Sequence, residues 1–131
     1  MAIAVGQRAV QEFLVDDRTI ELFGEASTDR NPLHFDDEFG RQTPFGGRIA
    51  HGMVTAAFIS AIIGNELPGH GSVYLGQTLK FRAPVRPGDT VRVEVEVLDY
   101  DQDRRGARLS TRAYVGDTLV VDGEAKVIAP A

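Results

Sequence analysis

Three side chains suited to proton chemistry lie within one short segment. Asp29, Asn31 and His34 place a carboxylate, an amide and an imidazole between positions 29 and 34. Pro32 disfavours a helix interior and pushes the residue before it toward extended geometry, which predicts a loop. These residues are ordinary turn formers, but loops placed before apolar segments also carry many catalytic groups. The carboxylate and the imidazole could share one water, which predicts general acid–base chemistry.

The motifs around this segment resemble those of a known family. Ser-Thr-Asp-Arg-Asn-Pro-Leu-His at 27–34, Ile-Ala-His-Gly-Met at 49–53 and Tyr-Leu-Gly-Gln at 74–77 follow the order found in MaoC-like hydratases. The chain is most similar to the short, single-hotdog (R)-specific enoyl-CoA hydratases, from about Val5 to Val127. Asp-x-Asn-x-x-His is that family's hydratase signature, whereas His-Gly-Met is shared more widely among hotdog proteins.

The resemblance implies reversible syn addition of water to a trans-2-enoyl-CoA, giving the (R)-3-hydroxyacyl-CoA, with no cofactor besides the coenzyme A of the substrate. Asp29 and His34 would hold and activate the water, and which group protonates C2 stays open. Asn31 would orient the loop or the water, or only bond its own backbone. Gly52 starts an apolar helix, where unpaired N–H groups suit an enolate oxygen, or it only lets that helix pack.

Further assignments are weaker, because each has an ordinary structural alternative. The acyl pocket would be lined by Ile59, Ser60 and Ile63, which as helix residues could equally be core or bond back to a carbonyl. Candidates for the coenzyme A phosphates are Arg48, Lys80, Arg82 and Arg86, although solvation is the default for surface cations. His51 is predicted to be structural and His70 to be a turn residue. No pair of histidines has the i, i+4 spacing of helical metal ligands, so no metal is expected.

Three other functions stay open at this stage. A hotdog acyl-CoA thioesterase would direct the water at the carbonyl instead of C3, but thioesterases of this fold usually lack the Asp–Asn–His grouping. A non-catalytic acyl-CoA-binding module would need neither Asp29 nor His34. The chain could also be a subunit of a 3-hydroxyacyl dehydratase that acts on acyl carrier protein substrates.

Length and charge limit the remaining possibilities. The 131 residues fit one domain, taken as 1–131. The net charge of −5 and the pI near 5.1 argue against nucleic-acid binding. No apolar run is long enough to span a membrane, and the start of the chain does not read as a signal peptide. The absence of cysteine is compatible with a reducing cytoplasm, where the resemblance implies a role in fatty acid metabolism and polyhydroxyalkanoate precursor supply.

Local patterns predict two main helices. Asp16 is a suitable N-cap for a helix from about Asp17 to Ser27, and Asp36 for a single turn within Phe35–Arg41. The second helix, Gly52–Asn65, is apolar on all sides, which predicts that it is buried. Between the two helices, positions 28–50 are expected to be a long functional loop.

The second half of the chain is predicted to form strands. Val91, Val93, Val95 and Val97 alternate with polar residues, which is the pattern of a half-buried strand. Further strands are predicted over 73–81, 109–115 and 119–128, and a strand or extended arm over 5–15. The class is therefore α+β, and the resemblance implies the hotdog fold, an antiparallel sheet wrapped around the buried helix. Hotdog proteins generally dimerise through a sheet edge, for which 73–81 is the candidate.

Overall fold

One antiparallel sheet wraps around one long helix in the computed structural model, which describes residues 3–131. The helices are α1 (Asp17–Ser27), α2 (Pro32–Phe35), α3 (Asp37–Arg41) and α4 (Gly52–Asn65). The strands are β1 (Arg8–Val15), β2 (Val73–Gln77), β3 (Lys80–Phe81), β4 (Asp89–Asp101), β5 (Gly106–Val115) and β6 (Thr118–Ile128). The predicted α+β hotdog arrangement is confirmed, as are the bounds of α1, α3 and α4.

The sheet has the strand order β1-β4-β5-β6-β2, with β3 also paired to β6. Alternation along β4 puts four valines on the face toward α4, each without exposed surface: Val91, Val93, Val95 and Val97. Two tight turns contain glycine: Gly88 has a φ of 96° with the N–H of Asp89 bonded to the carbonyl of Arg86, and Gly116 lies between β5 and β6.

Helix α4 is buried on one side only, which corrects the prediction that the helix as a whole is buried. Its inner face, including Ile59, Ile62 and Ile63, has almost no exposed surface and packs on β4 and β1. Its other face leaves Met53 51% exposed, with Ser60 exposed beside it. The hydropathy of the sequence shows that the helix is apolar. It does not show which side of the helix packs against the sheet. Within residues 3–131, no helix is both long and apolar enough to cross a bilayer.

The strand predicted over 73–81 is in fact two strands, β2 and β3, both paired with β6. The carbonyl of Thr78 accepts a hydrogen bond from the Gln77 side chain at 2.8 Å. The same carbonyl lies so close to β6 that a Cβ on Gly123 would come within 1.9 Å of its oxygen. The break therefore depends on a contact between distant parts of the chain. β2 is an edge of the sheet, as predicted.

The segment between α1 and α4 contains two short helices, so its description as one loop is wrong. Pro32 is the first residue of α2, where its missing N–H costs nothing because no helical partner exists there. Asn31 is the N-cap, and its side chain accepts a hydrogen bond from the N–H of Leu33 at 3.1 Å. Asp36 caps α3 in the same way, as predicted.

Candidate active site

Asp29 is held at the end of α1 by an unusual backbone conformation. Thr28, the C-cap of that helix, has a φ of 65°, in the left-handed region that residues with a Cβ seldom adopt. The N–H of Asp29 then donates to Oγ of Ser27, and its own Oδ1 accepts from the N–H of Asn31, both at 3.1 Å. Such conformations persist where the surrounding structure imposes them, frequently at functional sites. Here the result is an exposed carboxylate with a fixed direction.

His34 lies in α2 and is nearly buried, at 8% exposure. Its Nδ1 is 2.8 Å from the carbonyl oxygen of Ile49. Because a carbonyl can only accept, Nδ1 carries the proton in the neutral ring, and Nε2 keeps a free lone pair. The structure therefore identifies Nε2 as the basic nitrogen of His34.

The electrostatic surroundings of His34 favour the neutral ring. Burial lowers the pKa of the imidazole below its usual 6.5, because water can no longer solvate the charged form. The hydrogen bond to Ile49 and the charge of Asp29 oppose this decrease, while the neighbouring His51 adds to it. A ring that stays neutral near pH 7 is suited to accept a proton.

Asp29 and His34 come together, as the sequence predicted. One carboxylate oxygen and one ring nitrogen lie within 4.8 Å of each other. This separation is suited to one water that bonds to both groups, since each bond would be about 2.8 Å long. Asn31 makes the capping contact of α2, so its side-chain oxygen is already used in holding the backbone between the two residues.

His51 is the third polar side chain at this place. It is only 3% exposed, and its Nε2 lies 3.1 Å from the main-chain carbonyl of Asp29. Its ring stacks on that of His34, with centroids 3.9 Å apart and planes tilted by 30°. The sequence placed His51 at the start of α4, where it is the N-cap residue, but gave no sign of these two contacts.

The donor types of Asp29, His34 and His51 are those of a metal site, and spacing along the chain did not reveal that they meet. The stacking of the two rings argues against coordination. Two imidazoles bound to one zinc ion at tetrahedral angles have centroids roughly 5 Å apart, given Zn–N bonds of about 2.1 Å. The rings of His34 and His51 are closer than this, at 3.9 Å, and one nitrogen of each ring already bonds to a main-chain carbonyl.

A cavity of about 340 Å³ opens beside His34 and the first turn of α4. Gly52 lines it, so the N–H groups at the helix start, which have no intrahelical acceptor, lie at its wall. Most of the lining is apolar, and three polar residues interrupt it: His34, Thr55 and Arg82. Thr55 was not among the predicted site residues, although a threonine one turn after Gly52 in a mostly apolar helix is a visible signal.

The predicted acyl-pocket residues do not line this cavity. Ile59 and Ile63 are core residues, with at most 2% exposure. Ser60 lies on the exposed side of α4, in a separate groove of about 410 Å³ that also includes Met53, Phe23 and Tyr74. Of the three, only Ser60 is accessible to a ligand in the single chain.

The four candidate phosphate ligands differ in their surroundings. Arg48 is bound to Asp17 and Asp37, both at 2.8 Å, and donates to the carbonyl of His34 at 3.2 Å. These partners hold α2 between α1 and α3, so the assignment of Arg48 to a phosphate lacks support. Arg86 donates to the carbonyl of Phe45 at 2.5 Å.

The two remaining candidates are exposed. Lys80 lines a polar groove together with Arg108 and Arg112, away from His34. Arg82 lines the cavity that contains His34 and is only loosely paired with Asp122, at 3.8 Å. Arg82 is therefore the one of the four that is both near the site and available.

Comparisons with known proteins identify the family of this chain. The family model described as "MaoC like domain" matches residues 2–121, and the chain belongs to that family. It is 48% identical to a 3-hydroxybutyryl-CoA dehydratase of Methylorubrum extorquens, over 98% of this chain and 82% of the relative. It is 42% identical to an (R)-specific enoyl-CoA hydratase of Aeromonas caviae, over 98% of this chain and 97% of the relative.

Solved structures show the same fold. The (R)-hydratase of A. caviae involved in PHA biosynthesis superposes with a TM-score of 0.94 at 42% identity, covering 98% of both chains. The R-hydratase PhaJ1 of Pseudomonas aeruginosa, in its unliganded form, gives a TM-score of 0.92 at 45% identity, covering 98% of this chain and 83% of that one. The resemblance read from the motifs is thereby confirmed.

Proposed function

We propose that this protein is an (R)-specific enoyl-CoA hydratase, a hydro-lyase that adds water reversibly to trans-2-enoyl-CoA thioesters. The observation that best supports the proposal is the approach of Asp29 to His34 within 4.8 Å, beside a cavity that Gly52 also lines. Similarity to hydratases of 42–45% identity over nearly the whole chain supports the same activity.

The proposed reaction begins with a water held between the carboxylate of Asp29 and Nε2 of His34. One of these groups removes a proton as the oxygen bonds to C3, and the C2–C3 double-bond electrons move toward the thioester carbonyl. The N–H groups at the start of α4 stabilise the resulting enolate oxygen, a contribution worth about 3 kcal/mol per donor in comparable sites. A proton is then delivered to C2 from the same side, which completes syn addition.

The substrate is proposed to enter with its thioester at Gly52 and its phosphates near Arg82. The apolar lining of the cavity suits an alkyl or enoyl group. Coenzyme A is preferred over acyl carrier protein because the relatives of 48% and 42% identity are named for CoA substrates. No metal ion or other cofactor is proposed. Because EDTA removes metal ions, activity should survive treatment with it.

We also propose that the protein acts in the cytoplasm as a homodimer. Large apolar side chains are exposed on edge strand β2 and on the nearby face of α4: Met53, Val73, Tyr74 and Leu75. An unpaired apolar edge of this kind favours association with another sheet edge. A second copy of the chain offers the same edge, and pairing of the two would cover both.

The deciding experiment is a spectrophotometric assay with crotonyl-CoA that follows loss of the conjugated enoyl thioester, with chiral analysis of the product. Rapid loss that gives the (R)-3-hydroxy product supports the proposal. Release of free thiol without hydration would instead identify a thioesterase. If neither occurs with CoA substrates but a crotonyl acyl carrier protein is hydrated, the carrier-bound alternative takes its place.

A further inference from the structure

His51 contacts both residues that hold the water in the proposed reaction, yet that reaction gives it no task. Its Nε2–H donates to the main-chain carbonyl of Asp29 at 3.1 Å. Its ring lies against the ring of His34 at a centroid distance of 3.9 Å. One side chain, 97% buried, therefore connects the end of α1 to α2 at the two positions where the chemistry takes place.

The other surroundings of His51 do not explain why a histidine is present. As the N-cap residue of α4 it makes no side-chain capping bond in the described part of the chain. Its Nδ1 is buried and has no hydrogen-bond partner among residues 3–131. Phe23 and Phe35 pack around the ring, so an apolar side chain would fill the space without burying an unpaired nitrogen. What the imidazole adds is an N–H for Asp29 and a flat surface for His34.

We infer that His51 is a positioning residue that sets the separation between the carboxylate of Asp29 and Nε2 of His34. The inference rests on the proposed hydration and deepens it. Asp29 is anchored through its own main chain, because its carbonyl accepts the Nε2–H of His51. His34 is anchored through its ring, which lies against the imidazole of His51 as well as bonding to the carbonyl of Ile49. Both contacts are made by one rigid ring, so they fix the two catalytic groups relative to each other.

Three substitutions separate the two contacts. His51→Gln keeps a nitrogen donor near the position of Nε2 but loses the ring. His51→Phe keeps the ring but loses the donor, and His51→Ala loses both. We expect His51→Ala to lower kcat about 100-fold, the effect of a misplacement of roughly 1 Å, with KM changed much less. The other two variants should lie between it and the wild type. His70→Ala, at an exposed histidine outside the site, is the matched control and should keep full activity.

Two readouts distinguish positioning from a general structural role. The double variant His51→Ala, Asp29→Asn should have a kcat little lower than that of Asp29→Asn alone. The position of residue 29 no longer matters for the reaction once its carboxylate is removed. Nitrogen-15 NMR of the histidine rings needs no turnover, so it tests the inference even if crotonyl-CoA is not hydrated. His34 should show the Nδ1–H tautomer in the wild type and altered ring signals in every His51 variant.

Several results would overturn the inference. One is a folded His51 variant with wild-type kcat, and another is losses that multiply fully with those of Asp29→Asn. Unchanged His34 signals in the variants would overturn it as well. Far-UV circular dichroism establishes folding, and the Gln and Phe variants allow the test if the Ala variant does not fold. Absence of hydration by the wild type, with the NMR changes present, would reject the proposed function and keep the positioning role.

Discussion

The ring of Phe81 occupies the place that a side chain at Gly52 would need. A Cβ built on Gly52 would come within 2.5 Å of Cε1 of Phe81. Phe81 lies in β3, 29 positions further along the chain, and both residues line the cavity beside His34. Glycine at the start of α4 therefore leaves room for the Phe81 ring of a distant strand and also gives access to the helix N–H groups.

The first prediction concerns this contact. Gly52→Ala should leave the protein folded, because Phe81 is 54% exposed and its ring can swing outward. It should nevertheless lower kcat/KM at least tenfold, because the methyl group and the displaced ring crowd the N–H groups that serve the enolate. Steady-state kinetics with crotonyl-CoA measures the effect.

The control for this substitution lies in the same helix. Among residues 3–131, a Cβ on Gly64 meets nothing within 4 Å, so Gly64→Ala should keep wild-type activity. Adding Phe81→Ala to Gly52→Ala makes room for the methyl group and should restore part of the lost activity. If Gly52→Ala alone is fully active, the proposed role of the α4 start is wrong.

The second prediction concerns the shared water. Asp29→Asn and His34→Ala should each remove most of the hydration activity, about 1000-fold or more in kcat, without unfolding the chain. Because both groups act on one water, the double variant should be little worse than either single one. Losses that multiply would show that the two residues act in separate steps. Binding of a saturated acyl-CoA, measured by calorimetry, should persist in all three variants.

The third prediction concerns pH. The charged or titratable groups around His34 are Asp29, His51 and Arg48, the last bonded to its main-chain carbonyl. Burial is the largest influence and lowers the pKa of His34 below 6.5, so the ring stays neutral to lower pH than a solvated histidine. The acidic limb of the pH profile of kcat/KM should therefore fall below pH 6.5. A limb that lies clearly above this value would contradict His34 as the base.

The sequence was sufficient to predict a helix or strand where the interactions that determine it are local. Asp16 predicted the start of α1 because its carboxylate bonds to Thr19, three residues away. The alternation of valines predicted β4 and its buried face. Pro32 was misread because proline is compatible both with a loop and with the first residue of a helix, and only the cap of Asn31 decides between them.

Features that depend on distant contacts were not predictable. The break between β2 and β3 follows from the approach of Thr78 to Gly123. Asp29 and His51 meet across 22 positions of chain, and the spacing of the histidines does not reveal this contact. From the sequence, Arg48 was interpreted as an unpaired surface cation. Its partner Asp17 is 31 positions away along the chain, and no local pattern indicates that the two side chains meet.

The fourth prediction separates the two arginines near the site. Arg48→Ala should lower the free energy of unfolding by about 1–2 kcal/mol, a modest value because Asp17 and Asp37 are more than 70% exposed. It should also lower kcat, since α2 loses a contact to the His34 carbonyl. Arg82→Ala should instead raise KM for crotonyl-CoA and leave stability unchanged.

A shorter substrate provides the control for the arginine variants. Crotonyl-pantetheine lacks the nucleotide phosphates of coenzyme A, so Arg82→Ala should not raise its KM. Arg48→Ala should affect both substrates alike. Equal effects of Arg82→Ala on the two substrates would remove Arg82 from the phosphate site.

The fifth prediction concerns the edge of the sheet. Leu75, at the bulge of β2, is 61% exposed, and Val10 on the opposite edge strand β1 is 47% exposed. If two copies pair through β2, Leu75→Glu places charges inside the interface and should give a monomer by light scattering. Val10→Glu adds the same charge at the other edge and should leave the dimer intact. A monomeric wild type at working concentration would reject the dimer, and a dimer disrupted only by Val10→Glu would move the interface to β1.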